Sequence, residues 1–245
     1  MKQLLILAQG YADTAQVGTG LRQRIYSRAF IVGDVNNPNN RWVYLVLDTA
    51  NGDTAVRNGV LEGVAALGSS YSMYGSSNIA LTGTHSHSGP GACKLICDFV
   101  LNSRIYPSRR NVPWRQKMKM NVWTTNEWTG LNYLLPQITS LGFDKQSYQA
   151  IVDGVVLSIK RAHESLAPGL LAIGETEVTD ANINRSLFAY LANPASERAN
   201  YQYDVDKTIT MLRFKRLSDG LNLGILAWHS VHGTSMLQNN THVSG

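Results

Sequence analysis

The sequence predicts an α/β fold with a mixed central sheet flanked by helices. Three observations carry this reading: a strand-helix-strand succession between residues 42 and 82, an apolar stripe of helical period from 151 to 166, and a hairpin signal at 218–220. With 245 residues, 44% of them hydrophobic, the chain is long enough to bury a core of this size class.

Trp42-Val43-Tyr44-Leu45-Val46-Leu47 is a near-continuous apolar run ending at Asp48, the pattern of a strand buried on both faces. Thr54 is expected to cap the next helix, whose apolar positions Val56, Val60, Leu61, Val64 and Leu67 recur at spacings near three and four, and Gly68 to end it. Asn78 to Thr82 reads as the second strand of the unit. Further on, Ile151, Val152, Val155, Val156, Ile159 and Leu166 form one helical stripe stopped by Pro168-Gly169. Two late strands, Thr208 to Leu217 and Leu223 to Trp228, flank the turn Ser218-Asp219-Gly220. There is no internal repeat and no low-complexity linker, so the expectation is one domain, interrupted between Gly91 and Leu131.

The net charge of +5 is local. Residues 93 to 129 hold Lys94, Arg104, Arg109, Arg110, Arg115, Lys117 and Lys119 against Asp98 and Glu127, while the rest carries 15 basic and 15 acidic residues. That distribution argues against nucleic acid as a partner. Cys93 and Cys97 lie in the same segment with Trp114, Trp123 and Trp128, and two cysteines four apart form neither a disulfide framework nor a zinc motif. No run approaches the roughly 20 apolar residues of a membrane span, and Met1 to Ala8 is short for a signal-peptide core. The sequence names no compartment.

Four of the six histidines fall in two clusters, each directly after an expected strand. In Thr84-His85-Ser86-His87-Ser88-Gly89-Pro90-Gly91 two imidazoles two residues apart point to the same side of an extended chain. In Trp228-His229-Ser230-Val231-His232-Gly233-Thr234-Ser235-Met236 the spacing turns His229 and His232 opposite ways, so one of them enters a shared site. Open α/β sheets bind ligands beyond the carboxyl ends of their strands, where both clusters can meet one metal. Zinc suits neutral imidazole. The alternative is that these histidines hydrogen-bond loop backbone, and the residues alone leave both readings open. Competing signals are weak: there is no G-x-S-x-G elbow and no phosphate loop. Gly18-Thr19-Gly20 reads as a turn, His163 as a structural residue beside its helical stripe, and Asp48 as a turn or cap residue within reach of a site.

Several separated motifs in one order then resemble the neutral ceramidases. They are Gly10-Tyr11-Ala12, Gly18-Thr19-Gly20-Leu21 with Arg28-Ala29-Phe30-Ile31-Val32, the Thr84 to Gly91 block, Asn182-Ile183-Asn184-Arg185-Ser186, Tyr190 to Pro194, Tyr203 to Lys207, and Trp228 to Met236. The resemblance implies that His85 and His232 bind a catalytic Zn2+, that His87 and Arg185 line the substrate site and act in catalysis, and that Gly10 contributes substrate-binding backbone. It implies zinc-dependent hydrolysis of the ceramide amide to sphingosine and a fatty acid, and a secretory or extracellular setting. His229 stands where the family carries an aromatic residue and receives no ligand role.

On this resemblance residues 1–245 are part of an N-terminal catalytic domain, and the chain is expected to be an incomplete copy. The family's further zinc ligands, a Glu and a Tyr, lie downstream of Gly245. The family reads Ser-Pro where this chain has Ser186-Leu187. Residues 93–130 are expected to be an addition, either a lid pressing Trp and Arg onto a membrane surface or, favoured by the lack of helical or strand period, translated non-coding sequence. The rival function is a non-catalytic lipid- or membrane-binding module using that segment.

Overall fold

The computed structural model describes residues 6–7, 17–90, 145–234 and 236–245. They fall in two compact units: residues up to Ser165 together with Thr234–Gly245, and Leu166–Gly233. The expected addition at 93–130 lies outside the described residues.

In the first unit β1 (Ile6–Leu7) pairs with β2 (Val17–Gly18), and β3 (Gly20–Leu21) follows. The principal sheet is β4 (Ser27–Asp34), β5 (Asn37–Leu47) and β6 (Ile79–Gly83), with β4 antiparallel and β6 parallel to β5. The parallel pair requires a crossover, and α1 (Thr54–Ala65) supplies it as the expected strand-helix-strand unit. The second long helix, α2 (Lys145–Glu164), packs against α1 and β4.

Two local expectations change. Asp53, not Thr54, caps α1: its Oδ1 accepts from Ala55 N at 2.6 Å and Val56 N at 3.2 Å, placing a carboxylate at the positive end of the helix. The strand β5 is not buried on both faces. Val43, Leu45 and Leu47 are sealed, whereas Tyr44 and Val46 are half-buried and Trp42 is 43% exposed. The sealed residues share one core with Val56, Val60 and Val64 of α1 and Ile151, Val152, Val155 and Ile159 of α2. Among the described residues, helices of this unit cover that one face.

The second unit is a three-stranded antiparallel sheet of β7 (Gly169–Glu177), β8 (Thr208–Arg216) and β9 (Asn222–His229), with short helices α3 (Leu187–Leu191) and α4 (Ala195–Arg198) between β7 and β8. The hairpin forms as its turn signal predicts. Asp219 accepts from Leu221 N at 3.0 Å, and Gly220 takes φ +70°. Sequence periodicity misses β7, whose nine residues are all exposed and so carry no burial pattern. These strands form their own sheet, because each pairs with its chain neighbour, and do not extend the mixed one. Last in the chain, β10 (His242–Val243) returns to the first unit and pairs in parallel with β3.

His163, near the end of α2, has the structural role expected of it. Its Nδ1 accepts from Tyr74 Oη at 2.9 Å and Arg41 Nη1 at 3.1 Å, and its ring lies 4.5 Å from that of Tyr71. Arginine only donates, so Nδ1 is unprotonated. Burial pushes the imidazole below its ordinary pKa, the Arg41 charge acts the same way, and Glu164 opposes them. The unfolded chain therefore takes up a proton near the ordinary value of about 6.5 that the folded chain resists. The stability held above that pH is expected to fall as the pH drops through about 6.5 toward the lower folded value. Thermal unfolding between pH 7.5 and 5 checks this, with His163→Gln flattening part of the profile. An imidazole titrating at or above the free-histidine value by NMR contradicts it.

Candidate metal centre

The first histidine cluster sits at the carboxyl end of β6, where the chain runs beside the residues that leave β5. Thr84 N donates to Leu47 O at 2.8 Å and His85 N to Thr49 O at 3.1 Å, so the ladder continues past both strands. His85 then turns into the left-handed region at φ 64°, the one non-glycine residue to do so among those described. Such a conformation costs about 1–2 kcal/mol and persists where contacts determine it. Here its Nδ1 donates to Ala50 O at 2.8 Å. A carbonyl can only accept, so this bond assigns the proton to Nδ1 and leaves the Nε2 lone pair of the neutral ring available.

His87 Nε2 lies 3.2 Å from His85 Nε2, with the two rings nearly perpendicular at 88°. Two imidazoles on one tetrahedral zinc, each at 2.0–2.1 Å, hold their nitrogens ~3.3 Å apart. The pair therefore has the donor type and spacing to hold a metal. The rings converge for a different reason from the one expected. The chain is not extended here, and the left-handed turn at His85 swings its ring toward the buried His87, which is 8% exposed.

The surrounding backbone is packed too closely for side chains at two positions. A Cβ on Gly83 would lie 2.6 Å from Thr49 O, and one on Gly89 would lie 2.7 Å from Asp48 O. From the far end of the chain, Ser244 N donates to Ser88 O at 3.0 Å, while Ser86 Oγ and Ser88 Oγ donate to Ser244 O at 3.1 and 3.2 Å. Thr19 N donates to Thr241 O at 2.7 Å, so Gly18-Thr19-Gly20 is a paired strand edge and not the turn expected of it. Sequence reasoning missed Ala50 and Ser244, which act through backbone atoms and leave no residue-type signal.

The second cluster follows β9 of the antiparallel sheet, so the two clusters end different sheets. His229 closes that strand opposite Ile209, and its Nδ1 donates to Thr208 O at 3.0 Å, the backbone role weighed against metal binding. His232 lies beyond it in an exposed loop. Arg185 is exposed on a second loop of the same unit. That loop is tied by Asn182 Nδ2 to Asp206 O at 2.8 Å and Ser230 O at 2.5 Å, by Asn184 Nδ2 to Asp204 O at 2.8 Å, and by Lys207 Nζ to Asn182 O at 2.7 Å. Gly10 lies outside the described residues.

Strand-end imidazoles, carried by a mixed sheet and with the His85 tautomer fixed, define an α/β protein with a histidine pair spaced as metal ligands are. The sequence model described as neutral/alkaline non-lysosomal ceramidase, N-terminal, matches residues 5–106 and 128–245, and the chain belongs to that family. It is 35% identical over 237 residues to the neutral ceramidase of Oryza sativa subsp. japonica, covering 96% of this chain and 25% of that protein. It is 34% identical over 233 residues to that of Drosophila melanogaster, covering 95% and 27%. The crystal structure of neutral ceramidase from Pseudomonas aeruginosa matches with TM-score 0.73 and 29% identity, over 99% of this chain and 32% of that one. A structure titled ceramidase complexed with C2 matches at 0.72 and 30%, over 99% and 31%. The chain spans about a quarter of the length of the curated relatives it matches.

Two outcomes follow from this packing. Gly83→Ala and Gly89→Ala each force backbone to move and are expected to lower stability by about 1–3 kcal/mol in denaturant unfolding; unchanged midpoints for both show a loop that yields freely. Of the sequons at Asn184 and Asn239, the first has its amide spent on Asp204 O and on Ser186 N, which donates to Asn184 Oδ1 at 2.9 Å, while Asn239 is exposed in a turn. In a glycosylating cell, peptide mass spectrometry is expected to find glycan on Asn239. Glycan confined to Asn184 contradicts the described loop.

Proposed function

We propose that the protein carrying this region is a zinc-dependent amidase that cleaves ceramide to sphingosine and a fatty acid. The observation that carries the reading is the His85–His87 pair, 3.2 Å apart with the His85 tautomer set by Ala50 O, in a chain of the neutral ceramidase family. The relatives reported above are named neutral ceramidases. The metal-free membrane module is not favoured, because the family match extends to both sides of the basic segment.

In this reading His85 and His232 hold the zinc, and the other positions of a tetrahedral shell fall to groups beyond these two. Zinc supplies Lewis acidity, ionising water near neutral pH and polarising the amide carbonyl. His87, beside His85, takes or relays the proton released by the attacking water and returns it to the leaving amine nitrogen. Arg185 holds a headgroup oxygen or the developing negative charge, and Gly10 lends backbone to the substrate. Residues 93–130 are an addition to the family domain. The family match omits 107–127, which supports the centre of that segment as an addition, but takes in 93–106 and 128–130; seven of the 22 basic residues crowd into 93–129.

The test is sphingosine release from ceramide by the full-length protein. His85→Ala and His232→Ala are expected to lose zinc and more than ~100-fold in turnover, beyond the loss typical of outer-shell changes. Chelation abolishes activity and zinc restores it. Deleting 93–130 is expected to leave turnover intact or raise it. Undiminished turnover after zinc is stripped overturns the mechanism. Equal zinc-dependent turnover by the 245-residue chain alone overturns the expectation that further ligands are needed.

A further inference from the structure

Asp48 directly follows β5, and its carboxylate is almost sealed, with the side chain 6% exposed. It accepts from Arg28 Nη1 at 2.6 Å and Nη2 at 3.3 Å, and from Tyr26 N at 2.9 Å. Asp48 N donates to Tyr26 O at 3.0 Å, so both ends of this residue are pinned to the start of β4. The next two carbonyls, Thr49 O and Ala50 O, are the ones that hold His85 by its backbone and by its ring. Asp48 is thus the last fixed point before the two acceptors that decide where His85 sits and which nitrogen carries its proton. A bidentate guanidinium-carboxylate pair resists rotation as a single-point contact does not.

We propose that the Arg28–Asp48 ion pair is a positioning element for the metal centre: it aims the Ala50 carbonyl at His85 Nδ1 and so keeps the Nε2 lone pair turned toward the cation. This deepens the zinc reading above and rests on it. Neither residue is among the ligands or substrate-site residues named above. Partners of this kind, one step removed from the ligand, change metal affinity by about 10–100-fold when lost.

The experiment uses the full-length protein with Arg28→Gln and Arg28→Lys. Long-range 1H–15N NMR of the zinc-free protein reads the His85 tautomer, zinc titration calorimetry reads affinity, and thermal unfolding reads stability. Arg28→Gln is expected to populate both tautomers and weaken zinc about 10–100-fold, with Arg28→Lys intermediate because it keeps the charge but not the fork. A merely structural pair lowers the unfolding temperature alone. If Arg28→Gln does not fold, Asp48→Asn keeps the residue's shape and reads the same tautomer. A single Nδ1-protonated tautomer and zinc affinity within twofold of the parent, in a folded variant, overturn the inference. A parent that binds no zinc overturns the metal reading instead, and the tautomer measurement still decides this one.

Discussion

The geometry of the histidine pair depends on two carbonyl groups. Thr49 O and Ala50 O leave the end of β5 in directions that meet the backbone and the ring of His85, and no other described non-glycine residue adopts its left-handed conformation. Strain of about 1–2 kcal/mol at one residue is tolerable only when neighbours over-determine it. Parallel pairing of β5 and β6 brings the two chain ends side by side, and α1 spans the crossover between them.

Packing behind that point explains why the loop holds its shape. The Val43, Leu45 and Leu47 face of β5 is sealed by α1 and α2, so the strand that delivers Asp48 is fixed along its length. Gly83 and Gly89 let two backbone segments approach more closely than any side chain would allow. Ser244 adds three hydrogen bonds to the histidine loop from a residue more than 150 positions away in the chain. Several supports on one loop suit a metal site, because ligation tolerates distance errors of only about 0.2 Å.

Chemistry and family membership bear on each other here. An imidazole pair at 3.2 Å is by itself compatible with a shared proton or a shared cation. The chain belongs to a family whose curated relatives are named neutral ceramidases, and that membership bears on the choice. The second unit contributes a different kind of order. Asn182, Asn184 and Lys207 spend their side chains on backbone carbonyls, so the loops bearing Arg185 and His232 are organised by polar bonds where the first unit relies on apolar packing.

Much was legible in the residues themselves. Period and turn chemistry located β5, α1, β6, α2 and the β8–β9 hairpin, because apolar spacing, Pro168-Gly169 and Asp219-Gly220 act locally. The motifs that mark the family, and the residue types a metal needs, are local too. Other features were set only by tertiary structure: the shift of the α1 cap to Asp53, the one-sided burial of β5, the separate sheet of β7–β9, and the ring direction of His85. Strand β7 has no buried face to impose a pattern, and Ala50 and Ser244 act through carbonyls that every residue possesses. Side-chain chemistry is written in the sequence, whereas the direction of a backbone dipole exists only once distant segments have packed.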